Sequence, residues 1–80
     1  MMNKILVSVE IPKLNVNYNF LVPINKKIGL LKKTIVDLIS LNNVDVSSLR
    51  LLEKYTGKEL NNDLFIYQSN MKNGSILILI

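Results

Sequence analysis

Near the start of the chain, apolar and polar residues alternate. In KILVSVEI, residues 4–11, the side chains of Ile5, Val7, Val9 and Ile11 fall on one side and those of Leu6, Ser8 and Glu10 on the other, the period of two that marks a strand. PKLN then supplies Pro12 and Asn15 for a short turn. Residues 16–22, VNYNFLV, alternate again, with Val16, Tyr18, Phe20 and Val22 opposed to Asn17, Asn19 and Leu21. Two such strands joined by a short turn predict an antiparallel hairpin. Pro23 ends the second strand, because proline brings no ladder donor.

From about Asn25 the period changes. Ile28, Leu31, Ile35, Leu38 and Ile39 recur at helical spacing, with Lys26, Lys33 and Asp37 roughly opposite and Leu30 facing out among the charges. Asn25 is the expected N-cap, and Asn42 with Asn43 the expected stop. Beyond VDVSS, read as a loop anchored by Val44 and Val46, a strand is expected from about Leu49 to Tyr55. TGKEL turns the chain at Gly57, and Leu60 begins or flanks a very short strand. The connection over 61–73 plugs one end of the core with Leu64, Ile66 and Met71. Asn73-Gly74 is a turn signal that launches the last strand, GSILILI.

That last strand does not alternate apolar with polar. Ile76, Ile78 and Ile80 face one way and Leu77 and Leu79 the other. At a sheet edge, such a run would be an aggregation hazard. It is therefore placed centrally, beside the first strand. Periodicity cannot choose which of its two faces is buried.

One helix and about five strands in 80 residues predict a single domain, residues 1–80, of the α+β class. Its expected form is a roll, ββαβ(β)β, with a mixed sheet packed by one face on the helix. The 49% apolar content supplies enough burial to offset chain entropy. The chain has no cysteine and no histidine, so no disulfide, thiolate or imidazole is available to it. Neither a secretory signal pattern nor an apolar run of about 20 residues is present, so a cytoplasmic location without direct membrane insertion is expected.

Ten basic residues against six acidic ones leave a net charge of +4. The lysines are scattered and there is a single arginine, Arg50, so solvated surface is favoured over a nucleic-acid footprint. The carboxylates Glu10, Asp37, Asp45, Glu53, Glu59 and Asp63 show no paired catalytic spacing, Ser47 and Ser48 have no nearby base, and Gly29, Gly57 and Gly74 form no phosphate-cradling motif. No enzymatic activity, metal or cofactor is expected.

The second half, LRLLEKYTGKELNNDLFIYQSNMKNGSILILI, resembles that of ubiquitin-like β-grasp domains in its RL strand, GKEL turn, apolar Met71 in the following loop and final aliphatic strand. The helix sits after a Val-Pro pair, as it does in that superfamily. Within it, the chain resembles the YukD/EsaB-like group of small bacterial proteins that accompany type VII secretion systems. Chain length, Val22-Pro23 followed five residues on by Ile28, the NGS turn and the aliphatic end carry that likeness.

The resemblance implies a β-grasp fold with the last strand parallel to the first, and a cytoplasmic accessory protein that acts by contact with a secretion component. It also implies that Leu77 and Leu79 lie under the helix. The protein-binding surface is then the open sheet face, formed by Leu6, Ser8, Arg50, Leu52, Lys54, Ile76, Ile78 and Ile80, apolar with a basic rim; homodimerisation through this face is an equal expectation. Ubiquitin-like modifiers and sulfur carriers require a flexible tail ending in Gly-Gly. The sequence ends at Ile80 within strand pattern, so a conjugating or sulfur-carrier role is the alternative expected to fail, and Lys58 is expected to be an exposed turn lysine.

Overall fold

The computed structural model describes residues 3–39 and 48–80. The expected helix stop at Asn42 and Asn43 and the anchors Val44 and Val46 lie outside the described residues. Among the described residues, four strands and one α-helix follow in the order β1 (Lys4–Ile11), β2 (Val16–Pro23), α1 (Ile28–Leu38), β3 (Leu51–Glu53) and β4 (Ser75–Leu79).

The hairpin forms as its alternation demands, Lys4 pairing with Pro23 and Ile11 with Val16. A short 3-10 turn, Pro12–Leu14, joins the strands, and Asn15 takes the left-handed conformation (φ 53°) that a small polar side chain tolerates. The sheet order is β2-β1-β4-β3. β4 runs parallel to β1 and antiparallel to β3, which places it in the interior of the sheet as its composition requires. The expected fifth strand near Leu60 is a single bridge between Leu52 and Glu59, and the strand expected over 49–55 shortens to Leu51–Glu53.

One face of the sheet packs on α1. The core unites Ile5, Val7, Val9 and Ile11 of β1, Val22 of β2, Leu51 of β3 and Leu77 with Leu79 of β4 with Ile28, Leu31, Ile35 and Val36 of the helix. Ile66 and Met71 close one end, as anticipated, and Leu64 packs against it.

The helix departs from its expected form in three ways. It starts at Ile28, and neither Asn25 nor the N-cap residue Lys27 caps it with a side chain. Backbone carbonyls do so instead: the Ile28 amide donates to the Leu64 carbonyl (2.9 Å) and the Gly29 amide to that of Asn62 (3.0 Å). Gly29 suits this close approach, because a Cβ would lie 3.2 Å from the Asn62 oxygen and press on that segment. Second, Leu38 is 63% exposed, and Val36 takes its place in the core. Third, Lys32 is not solvated surface. It is 5% exposed, and its ammonium donates to the Leu49 carbonyl at 2.9 Å.

β2 behaves differently from β1 because it is an outer strand of the sheet, which α1 meets along one flank where Phe20 and Val22 line a groove with Leu31 and Ile35. Val16 and Tyr18, on the same side of β2 as Val22, are exposed and Phe20 is half-buried, whereas Ile11, at the same end of the inner strand β1, is buried.

Candidate functional site

The face of the sheet turned away from α1 carries the residues singled out from sequence. Leu77 and Leu79 are fully buried on the helix side, so Ile76, Ile78 and Ile80 face outward. Register then sets the layout. Ile76 lies beside Ser8 of β1, and Ile78 lies between Glu10 of β1 and Leu52 of β3. Ile80 continues the ladder past β4: its amide donates to the Arg50 carbonyl (2.9 Å) and its carbonyl accepts from the Arg50 amide (2.7 Å). Lys54 joins in the same way, its amide donating to the Ile76 carbonyl (2.9 Å).

Two features of the face were missed. The Lys54 ammonium reaches Glu10 Oε2 at 2.8 Å, spanning β4 diagonally from β3 to β1. It crosses beside Ile76 and Ile78, which are half-buried although they lie on the outward face. Arg50 Nε donates to Glu59 Oε1, also at 2.8 Å. The expected basic rim is therefore neutralised by two carboxylates.

Hydrogen bonding to Glu10, then the attraction of its charge, holds the Lys54 ammonium above its ordinary pKa. Both pairs are open to solvent, which screens them, so neither is a main source of stability. Sequence spacing offered no signal for either pair. Glu10 and Lys54 become neighbours only once β4 is known to lie between their strands.

Ser8 Oγ donates to Asn19 Oδ1 at 2.7 Å, so its hydroxyl is engaged within the hairpin. Leu6 (45% exposed) stands opposite Leu21 of β2, away from the isoleucines. The apolar surface is thus a stripe, Ile80 to Ile78 and Leu52 to Ile76, with a separate Leu6–Leu21 corner. Full burial of an aliphatic side chain contributes roughly 1.5 to 3 kcal/mol. The stripe is already partly covered, so a partner gains only the remainder, about half of that per residue.

At the rim, Glu53 accepts bonds from the Tyr55 amide (3.2 Å) and the Thr56 amide (2.8 Å) and closes the turn that positions Lys54. Bonds from Thr56 and Tyr55 hold its carboxyl below the usual carboxylate range. Lys58, in the same turn, is exposed as expected. Among the described residues, no group of three histidine, cysteine or acidic side chains is placed to hold a metal, and no helix is long and apolar enough to cross a membrane.

No family model and no curated protein matches the chain. Solved structures do match. The ubiquitin-like domain of an Arabidopsis thaliana protein aligns over 99% of this chain and 78% of its own, at 19% identity and a TM-score of 0.78. The ubiquitin of Caldiarchaeum subterraneum covers 96% and 91% at 14% identity and 0.77. A de novo design based on ubiquitin covers 100% and 90% at 16% identity and 0.80. The chain has the ubiquitin-like β-grasp fold.

Proposed function

We propose that this ubiquitin-like domain is a non-enzymatic adaptor that docks on another protein through the outward face of its sheet. The observation that carries this is the stripe of Ile76, Ile78, Ile80 and Leu52 on the sheet side that the helix does not cover. Ser8, Arg50 and Lys54 border it, and Leu6 adds a separate apolar corner with Leu21. Ordinary surfaces disperse large aliphatics, and a contiguous group with charges at its margin suits a protein contact. The Lys54–Glu10 and Arg50–Glu59 pairs make a partner of balanced charge the best fit.

The finer assignment is an accessory factor of a bacterial type VII secretion system, working in the cytoplasm on a component of that machine. Its support is the likeness to the YukD/EsaB-like group in the Val22-Pro23 to Ile28 spacing, in the Asn73-Gly74-Ser75 turn and in the aliphatic strand that follows. Pull-down from bacteria that carry such a system, followed by mass spectrometry, tests both levels. Wild-type protein should retain a secretion component, and Ile78→Lys should lose it while keeping its fold. A partner unrelated to secretion but lost in Ile78→Lys would refute the assignment and leave the surface standing. A secretion component retained equally by Ile78→Lys would refute the surface.

A further inference from the structure

The sheet has two outer edges, and among the described residues only one of them is covered. Beside β3, the Glu53 amide donates to the Lys58 carbonyl (2.9 Å) and the Leu60 amide to that of Leu51 (2.8 Å), so residues 58–60 pair with that edge. β2 has no such neighbour among the described residues. Which of its groups are free follows from the ladder. The Ile24 amide bonds the Asn3 carbonyl (3.0 Å), whereas the amide and carbonyl of Leu6 both turn to the β4 side, where Asn73 Oδ1 and the Gly74 amide meet them at 2.8 Å. Antiparallel pairs alternate, so Val16, Tyr18, Phe20 and Val22 spend their backbone groups on β1, and Asn17, Asn19 and Leu21 point theirs outward.

Natural sheets protect such an edge with lysine, proline, a bulge or a covering loop. From Val16 to Val22 there is no charge and no proline. Flanking the edge on the helix side is an apolar groove of about 260 Å³ between β2 and α1, where Phe20, Leu30, Leu31, Thr34 and Leu38 meet. Beside it stand Tyr18 (41% exposed) and, on the opposite face, Leu21 (64% exposed).

We propose that the β2 edge pairs with the β2 edge of a second copy of this chain, joining two sheets into one. The strand is its own complement in a register with Asn19 on the two-fold axis. In it Asn17 opposes Leu21 of the second copy, and both belong to the outward-pointing set, so every free amide of Asn17, Asn19 and Leu21 finds a carbonyl. The same register sets Tyr18 opposite Phe20 of the second copy, at the mouth of the groove. Tyr18 and Phe20 already lie 6.2 Å apart, centroid to centroid, within one strand, so the dimer gathers four rings into one cluster. β2 itself is uncharged, so the paired strands bring no like charges together although each chain carries +4; Lys26 lines the groove beside them. This surface is separate from the outward face proposed above for an adaptor's partner.

Sedimentation velocity and amide exchange test it together, from about 10 µM to about 1 mM chain. The expected result is concentration-dependent dimer formation, with exchange of the Asn17, Asn19 and Leu21 amides slowing as the dimer fills. Tyr18→Lys, and separately Asn19→Pro, which removes an outward amide, should weaken association by about tenfold or more. Both should melt near the wild-type temperature; should either unfold, the other variant and the wild-type exchange pattern decide. A chain that stays monomeric at 1 mM overturns the proposal. So does a dimer that Ile78→Lys dissolves while Tyr18→Lys and Asn19→Pro leave it intact, because that dimer uses the other face.

Discussion

Two adjacent residues of β4 should respond very differently to the same truncation. Leu77 is fully buried, stands next to Val9 of β1 and Glu53 of β3, and packs in the core under α1. Replacing a leucine in such a site by alanine costs about 2 to 5 kcal/mol, toward the top when rigid neighbours prevent collapse, as paired strands on both sides do here. A domain of this size has roughly 4 to 12 kcal/mol of stability in total. At 3 kcal/mol, and about 4 to 8 °C per kcal/mol, Leu77→Ala lowers the Tm by about 12 to 24 °C.

Ile78 lies one residue on, half-buried on the outward face. Ile78→Ala leaves no enclosed cavity and should cost about 1 kcal/mol, from lost partial burial and strand preference. Urea unfolding followed by circular dichroism measures both, with unchanged m-values confirming that the midpoint shift is stability. If Ile78→Ala costs as much as Leu77→Ala, the assignment of the two faces is wrong.

Gly74, at φ 91° where β4 begins, should make Gly74→Ala cost about 1 kcal/mol in the same assay, although no atom crowds the new Cβ. Lys32→Ala should destabilise by about 1 to 3 kcal/mol, since it leaves the partly buried Leu49 carbonyl without this donor; a neutral outcome would show that the bond contributes nothing net. The lowered pKa of Glu53 contributes stability that is present above its unfolded pKa and lost as pH falls through the folded value. Acid titration of Glu53→Gln should therefore lack a small component below about pH 4.5, and identical acid limbs would refute that linkage. For Lys54, whose pKa is raised, the contribution is complete below its unfolded pKa near 10.5 and lost as pH rises through the folded value; Glu10→Gln should remove that alkaline component.

The sequence by itself determined the local elements, because hydrophobic period is a property of neighbouring residues. The alternation over residues 4–11 and 16–22 pointed to a hairpin, and the uninterrupted aliphatics of 76–80 demanded neighbours on both sides. It left both parities of β4 open as the candidate site, and the ubiquitin-like resemblance chose between them.

Only the tertiary structure decided how far the helix reaches. Its seat on the sheet buried Lys32 and Val36 and left Leu38 in solvent, and the outer position of β2 left Val16 and Tyr18 exposed, against a pattern that ranks residues by polarity alone. Chain reversal over long separations did the rest. Carbonyls of Asn62 and Leu64 cap a helix that begins at Ile28, and Glu10 meets Lys54 across an intervening strand. Such pairings depend on which segments the packed core brings side by side, and periodicity along the chain carries no record of that.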